Sequence, residues 1–474
     1  MKMGPFLRHE NATDKMMRNL FIALMPILIF GFYKNGILPF LHGYATIYGM
    51  LYPLLLVFVS VMTSYVSEYF FIRILKGRSK EETKKELKQS FWIFPGLFLS
   101  LIVPYNTPLV LMAIASFIAS ILGKMLYGGF GYNLFNPALI GCLFLLTIYG
   151  AQIATMGGYL NTEEIRVVSG ATPLANVSLV DGIGTYETLV EPYGTLASFF
   201  LGTIPGAMGE TSACLCLLAF FFLSYKRVIK WKIPTFYIGT VFLLTCIIGS
   251  MNGVGLWYPI FQVLSGGLFF GAVFMATDPV TSPITSIGQV LYAILLGILT
   301  VAFRYLSPLP EGVLTSILTM NLFVPILDKI GSSRGNASKK MALPLFICCF
   351  FSFLLIRQVV GKYTKTEERD SNFSVVSEEK NGNQTTYIVM QKGNGGLIQS
   401  KLTLEDGKVL SFQVLEEHET DAYYQMVMDA NYIDTLLKKQ NQIEEVDTIS
   451  GATISSKALK KTMINVLKEA GVLK

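Results

Sequence analysis

Long apolar segments, separated by short polar ones, run from near the N-terminus to about residue 360. A helix needs about 20 mostly apolar residues to cross the hydrocarbon core of a bilayer. Only 15% of the residues are charged, whereas about a quarter are charged in a typical soluble protein. We therefore predict a polytopic α-helical membrane protein with about 11 transmembrane helices. The predicted segments are 19–33, 48–72, 91–104, 108–126, 137–152, 208–224, 234–250, 258–276, 287–305, 311–328 and 341–359.

The positive charges alternate from loop to loop. Lys and Arg are concentrated at 73–90, 225–233 and 329–340, whereas the long 153–207 loop contains only Arg166. Because cytoplasmic loops carry an excess of Lys and Arg, this pattern predicts a cytoplasmic N-terminus. The 153–207 loop and the chain after residue 360 are then extracytoplasmic. The same loops explain the net charge of +6, and no pattern indicates nucleic-acid binding.

Two further features concern the organisation of the chain. The first ten predicted helices divide into five plus five, and an odd number in each half favours an inverted repeat as a hypothesis. After residue 360 the composition becomes polar, with strand-like segments at 385–391, 397–404 and 409–415 and an amphipathic helix at 454–470. We expect a membrane domain over 1–330, a linker and eleventh helix over 331–360, and an α+β domain over 361–474.

The cysteines do not form a recognisable metal site. All six lie inside apolar segments: Cys142, Cys214, Cys216, Cys246, Cys348 and Cys349. No spacing matches a zinc or iron–sulfur site, and no G-x-G-x-x-G dinucleotide motif is present. We expect no metal site and no complete redox active site in this chain alone.

The tetrapeptide SGAT occurs twice, at Ser169–Thr172 and Ser450–Thr453, and both copies lie in segments predicted to face the outside. One interpretation of the second copy is a helix N-cap, in which a hydroxyl accepts a backbone N–H bond. The other is a phosphate site, because the N–H groups at a helix N-terminus attract anions. A threonine hydroxyl at that position can be esterified by a phosphate.

The run Asp447–Thr453 matches the D-x-x-[ST]-G-A-T motif, and G-G-L-I, D-G-K-V and H-E-T segments precede it. This region resembles the FMN-binding domains of the Rnf G subunit and of the C subunit of Na⁺-pumping NADH:quinone reductase. The resemblance implies that a flavin transferase joins FMN through its phosphate to Thr453. The family continues from E-T into P-G-x-G, whereas this chain has 421–424 as D-A-Y-Y. The other flavin-binding residues implied are Asp447, Ser450, Gly451, Ala452, Glu419 and Thr420.

The membrane part contains the strings YGGFGYNLFNPALIG (127–141), SGATPLA (169–175), PGAMGETSA (205–213), FMATDPVTSPIT (274–285) and PEGVLTSILTMN (310–321). In this order they resemble the D subunit of Rnf and the B subunit of the NADH:quinone reductase. The resemblance implies a second covalent FMN on Thr172, with Ser169, Gly170 and Ala171 beside it. The family has Asp three residues before the motif, where this chain has Arg166. A non-covalent flavin such as riboflavin is a further cofactor to consider.

Several polar residues at the ends of apolar segments have two interpretations. Asp278, with Thr277 and Thr281, forms either a binding region for the coupling ion or a hydrated helix end. Asn133 and Asn136 either contact a flavin or an ion, or satisfy backbone groups at a helix break.

The resemblance implies a subunit that relays electrons through flavins and is coupled to Na⁺ or H⁺ translocation. Flavins suit such a relay, whereas partner subunits must hold the iron–sulfur centres and bind NAD. The alternative is a solute transporter or channel with an appended sensor domain. The two SGAT motifs favour the redox subunit.

Overall fold

The computed structural model divides the chain into two compact units, Met1–Tyr363 and Thr364–Lys474. The residues that the structure describes are 13–155, 159–163, 166–170, 173–176, 183–210, 212–307, 312–332, 337–368, 373–381, 384–392, 397–405, 408–417, 425, 427–429, 431–440, 443, 446–447, 453–470 and 472.

Apolar helices build the first unit, which confirms the predicted polytopic membrane protein. Among the described residues, seven helices are long and apolar enough to cross a bilayer: Thr13–Leu41, Ile47–Leu75, Leu109–Tyr127, Lys232–Met251, Ser286–Leu306, Val313–Ser332 and Met341–Gly361. The last belongs to a longer helix, Ala337–Glu368. Large apolar side chains such as Phe58 and Val110 point outward from these helices, as contact with lipid requires.

The other predicted segments are shorter or broken. Trp257–Leu264 and Leu268–Met275 form a pair bent by 63°. In the part of the chain that the structure describes, three apolar segments are shorter than a full crossing. They are the helices Ile93–Ile102 and Ala213–Tyr225 and the apolar portion Pro137–Gly150 of helix Pro137–Thr155. The helix predicted from residue 208 begins only at Ala213, because the apolar residues before it are buried in a loop. Apolar composition alone does not distinguish a buried loop from a helix.

The remaining elements of the first unit are short or polar. A basic helix, Lys80–Ser90, begins with a capping box in which Ser79 and Glu82 bond each other's backbone N–H groups. An antiparallel hairpin joins Tyr159–Glu163 to Arg166–Gly170. The short helical turns between the hairpin and the next apolar helix are Pro173–Asn176, Tyr186–Leu189, Glu191–Tyr193 and Leu196–Leu201.

Serine hydroxyls join helix Ile47–Leu75 to helix Leu109–Tyr127. Ser64 Oγ lies 3.0 Å from both Ser116 Oγ and Ser120 Oγ. Small polar side chains let membrane helices approach closely and bond each other where water is absent. These serines therefore fix the register between the two helices.

Helix Ile93–Ile102 packs against the same surface through a glycine. Ser60 Oγ donates to the carbonyl oxygen of Gly96 at 2.8 Å. A Cβ added at Gly96 would lie only 2.5 Å from the Ser60 carbonyl oxygen. This close contact is therefore possible only because Gly96 has no side chain.

The bend between Trp257–Leu264 and Leu268–Met275 leaves backbone carbonyls without helical partners. Arg304, which is 8% exposed, donates to the carbonyl oxygens of Gln262 at 2.5 Å and Ser265 at 3.3 Å. A guanidinium has five donors and can bond several oxygens at once. Arg304 thereby satisfies a break that would otherwise be costly inside a membrane.

The second unit contains a four-stranded antiparallel sheet in sequential order. Its strands are Phe373–Asn381, Gln384–Lys392, Leu397–Glu405 and Lys408–Glu417. Helices Tyr432–Lys438 and Thr453–Glu469 follow in the chain. Buried side chains from sheet and helices share one apolar core. This arrangement confirms the predicted α+β unit.

The first strand of the sheet was not predicted. Its sequence, FSVVSEEKN, lacks a regular alternation of apolar and polar residues. The available signal was the Gly382-Asn383 dipeptide, which favours a two-residue hairpin turn. In the structure Asn381 is paired with Gln384.

Candidate functional site

The C-terminal SGAT copy ends where a helix begins. Helix Thr453–Glu469 has Thr453 as its first residue, and Asp447 is exposed shortly before it. The first N–H groups of a helix lack partners within the helix and, with the helix dipole, favour an anion. The chain therefore places the backbone of Thr453 where a phosphate is stabilised. The predicted site residues Ser450, Gly451, Ala452, Glu419 and Thr420 lie outside the described residues.

The sheet holds this helix in place. Leu459, Met463 and Val466 are fully buried on its apolar face. Lys460 Nζ donates to the carbonyl oxygen of Val446 at 2.8 Å, which ties the segment before the motif to the helix. The N-terminus of the helix is thus supported on both sides of the motif.

Tyr432 has a buried hydroxyl near this motif. Its side chain is 3% exposed, and the hydroxyl has no hydrogen-bond partner among the described residues. Burial, and then the negative charge of Asp447, raise the pKa of Tyr432 to about 12. A buried donor usually has a partner, and a flavin offers carbonyl and phosphate oxygens. These residues therefore fit FMN.

The first SGAT copy lies between a hairpin and a short helix. Ser169 pairs with Leu160 in the hairpin, and Gly170 ends its second strand. Helix Pro173–Asn176 starts after the motif. Arg166 begins the strand that leads into the motif. Ala171 and Thr172 lie outside the described residues.

The membrane unit contains a cavity rich in aromatic side chains, with about 740 Å³ of empty space, part of it open to solvent. The phenylalanines that line it are Phe91, Phe94, Phe98, Phe130 and Phe274. The polar side chains that line it are Lys124, Asn133, Asn136, Thr277 and Asp278. Aromatic walls with a few polar groups are suited to a planar ligand.

The two asparagines of this cavity also secure the backbone. Asn136 Oδ1 accepts from the N–H of Ala138 at 3.1 Å, at the start of helix Pro137–Thr155. Asn133 Nδ2 donates to the carbonyl oxygen of Phe135 at 3.1 Å. The amides therefore satisfy backbone groups beside the helix start and also line the cavity, whereas their contact with a flavin or an ion stays a prediction.

Asp278 and Thr277 line the same cavity as the asparagines. Thr281 does not line it, but its hydroxyl donates to Asp278 Oδ2 at 2.9 Å. The hydroxyl of Thr277 instead donates to the carbonyl oxygen of Val273. The two asparagines and the Thr277–Asp278 pair, which the sequence analysis considered separately, therefore line one cavity.

An ion pair beside the cavity was missed by sequence reasoning. Lys124 Nζ lies 2.5 Å from Glu68 Oε1, and both side chains are at most 3% exposed. Ser90 supplies both a hydroxyl donor to Glu68 and a carbonyl acceptor for Lys124. The available signal was a charged residue inside each of two apolar segments, where charge is costly unless it is paired.

Comparison with known proteins gives two family matches. A model described as the NQR2, RnfD, RnfE family matches residues 1–335. A model described as an FMN-binding domain matches residues 393–468. Both resemblances that the sequence motifs indicated are thereby confirmed.

Curated relatives match the membrane unit. The D subunit of the proton-translocating ferredoxin:NAD(+) oxidoreductase complex of Clostridium ljungdahlii is 36% identical over 330 residues, covering 69% of this chain and 92% of the relative. The D subunit of the Na(+)-translocating complex of Acetobacterium woodii is 31% identical over 333 residues, covering 70% and 93%. The B subunit of the Na(+)-translocating NADH-quinone reductase of Yersinia pestis is 35% identical over 254 residues, covering 52% and 60%.

Proposed function

Because this chain belongs to the NQR2, RnfD, RnfE family, we propose that it is a flavin-carrying membrane subunit of an Rnf-type complex. The observation that carries the proposal is the union of this membrane family and an FMN-binding domain in one chain. Such a complex transfers electrons from ferredoxin to NAD⁺ and moves Na⁺ or H⁺ across the membrane. Relatives are named for each of these two ions.

The role of this subunit is to hold flavins in fixed positions for electron transfer. A flavin accepts two electrons and can release them one at a time, which suits a relay between different carriers. Iron–sulfur subunits accept the electrons from ferredoxin, and NAD-binding subunits deliver them to NAD⁺. We place the complex in the bacterial cytoplasmic membrane, with the FMN-binding unit outside.

We propose that a separate flavin transferase joins FMN through a phosphoester to Thr453 and to Thr172. In each case the threonine Oγ attacks the flavin-bearing phosphorus of a flavin dinucleotide, the pyrophosphate P–O bond breaks, the nucleoside monophosphate leaves and the hydroxyl proton passes to solvent. For Thr453 the support is its place at the start of helix Thr453–Glu469, where N–H groups favour the phosphate charge. The buried Tyr432 hydroxyl gives further support, because it has no hydrogen-bond partner among the described residues and a flavin oxygen would accept from it. For Thr172 the support is the SGATPLA motif.

Flavin fluorescence in a denaturing gel tests the attachment. Only a covalently bound flavin stays with the protein band under ultraviolet light. We expect Thr453→Ala to remove one of two flavins, Thr172→Ala to remove the other, and the double variant to be dark. The control Thr435→Ala removes a threonine hydroxyl outside both motifs and should keep full fluorescence.

Fluorescence that persists in the double variant would refute the attachment sites. A dark wild-type band, from cells that express a flavin transferase, would instead favour the transporter or channel with an appended sensor domain. Mass spectrometry of the peptides that contain Thr453 and Thr172 gives an independent measurement.

The aromatic cavity is our candidate for a non-covalent flavin such as riboflavin. Its five phenylalanines suit an isoalloxazine ring, and the amides of Asn133 and Asn136 can bond the polar edge of such a ring. Chromatography of flavin released by denaturing the Thr453→Ala, Thr172→Ala variant measures this cofactor directly.

We expect that adding Asn133→Ala to that variant lowers the released flavin severalfold. Asn252→Ala is the matched control, because Asn252 bonds the carbonyl oxygen of Ile248 and does not line the cavity. Equal release from both variants would exclude this cavity as the site.

A further inference from the structure

A second cavity lies where three apolar helices end. It is bounded by the turn between Ala213–Tyr225 and Lys232–Met251 and by the start of Ser286–Leu306. The cavity contains about 760 Å³ of empty space, part of it open to solvent. Ends of membrane helices lie near the boundary between hydrocarbon and water. This cavity therefore opens at the level of the lipid headgroups.

The lining is strongly basic. Arg227, Lys230 and Lys232 line the cavity, and none of its described lining residues is acidic. The carboxylate of Asp328 lies close by, but it accepts hydrogen bonds from the backbone of Ile284 at 3.0 Å and of the next residue. Three cations around one cavity favour an anionic ligand.

Uncharged donors complete the lining. Ser224 Oγ is buried and has no hydrogen-bond partner in the part of the chain that the structure describes. Lys232 donates to the hydroxyl of Ser286, the first residue of helix Ser286–Leu306. A buried hydroxyl without a partner is uncommon, and the oxygens of a phosphate would satisfy it.

Apolar side chains at the rim of the cavity favour the phosphate of a lipid over a free phosphate ion. Trp231 is 54% exposed and Ile284 is 82% exposed, and both belong to the lining. Tryptophan is favoured at the level of the headgroups, and an exposed isoleucine suits contact with an acyl chain. A free inorganic anion would make no favourable contact with these apolar side chains.

We propose that this cavity binds the phosphate headgroup of an anionic phospholipid, with Arg227, Lys230 and Lys232 pairing its charge. Basic pockets between membrane helices are known binding sites for such headgroups. The Ser224 hydroxyl donates to a phosphate oxygen, while Trp231 and Ile284 contact the lipid below it. The role is separate from flavin attachment.

Native mass spectrometry of the full chain, purified in detergent and delipidated, tests the site. The protein is incubated with phosphatidylglycerol, cardiolipin or phosphatidylcholine, and the bound lipid is counted. We expect tight retention of the two anionic lipids only. The variant Arg227→Gln, Lys230→Gln, Lys232→Gln should lower their affinity at least tenfold.

The matched control is Lys84→Gln, Lys85→Gln, Lys88→Gln. These lysines are exposed on helix Lys80–Ser90, so their replacement removes the same charge without touching the cavity. Lipid binding by this control should equal that of wild type. Equal losses in both variants would show a general charge effect and overturn the proposal.

Two further measurements keep the test decisive. Ser224→Ala preserves every charge and should weaken lipid retention by a few-fold. Unchanged lipid retention in this variant and in Arg227→Gln, Lys230→Gln, Lys232→Gln (the cavity variant) refutes the site. Millimolar inorganic phosphate should not displace the lipid, whereas displacement would identify a site for free phosphate. Loss of partner subunits from the cavity variant, with lipid binding unchanged, would identify a protein-docking surface instead.

Discussion

Individual charged residues of the membrane unit are stabilised by partners from distant parts of the chain. Glu68 and Lys124 come from two helices, and Ser90 lies between them in space. Sequence patterns predicted a helix start next to Thr453, because motif and helix are adjacent in the chain. They did not predict the ion pair, since its partners are brought together only by helix packing.

Lys124→Met is expected to destabilise the membrane unit by about 3–5 kcal/mol, because it leaves the buried Glu68 charge unpaired. Thermal unfolding of the full chain in detergent measures the effect. Adding Glu68→Gln should restore much of the loss, since the remaining buried charge is then removed. A double variant less stable than Lys124→Met would contradict this explanation.

Asp278→Asn is expected to slow Na⁺-stimulated electron transfer while both covalent flavins remain attached. The substitution keeps the size of the side chain and its bond with Thr281 but removes the charge that attracts a cation. Turnover of the assembled complex at varied Na⁺ concentration, and gel fluorescence, provide the two readouts. Asp278→Glu, which keeps the charge, serves as the comparison. If Asp278→Asn has wild-type turnover and Na⁺ dependence, the carboxylate does not bind the coupling ion and Asp278 is only a hydrated residue at a helix end.

At the level of helices and strands, hydrophobic length was the most informative property of the sequence. Each predicted membrane segment contains a helix, yet Ile93–Ile102 and Ala213–Tyr225 are too short to cross alone. Composition could not reveal the 63° bend, because the carbonyls exposed by it are satisfied by Arg304 from another helix. The strand Phe373–Asn381 was missed because its polar residues are tolerated at the first position of the sheet.

Gly96→Ala is expected to destabilise the helix contact by about 1–3 kcal/mol, because the new Cβ would overlap the Ser60 carbonyl oxygen. Gly239→Ala is the matched control, since a Cβ there has no neighbour within 4 Å and alanine favours a helix. Melting temperatures of the two variants in the same detergent provide the comparison. Equal melting temperatures would show that the helices of Gly96 and Ser60 accommodate the new methyl group without loss of stability.

On the scale of the whole molecule, two units of different chemistry share one chain. Composition predicted the change from apolar to polar near residue 360, and the structure divides the chain between Tyr363 and Thr364. The orientation in the membrane stays a prediction from the distribution of Lys and Arg. The inverted repeat also stays a prediction.

A cysteine in place of Glu379, which is exposed on the first strand of the sheet, tests the orientation. We expect a membrane-impermeant thiol reagent to label it in intact spheroplasts. A cysteine at Lys84, in the basic 73–90 loop, should be labelled only after permeabilisation. The native chain gives the background from its own cysteines. The reverse pattern of labelling would invert the assigned topology.

Helix Ala337–Glu368 is 32 residues long and leads without interruption from the membrane unit into the first residues of the FMN-binding unit. One translation event therefore delivers both units in equal numbers, whatever the expression level of the cell. Because the link is covalent, dilution does not change the local concentration of one unit near the other.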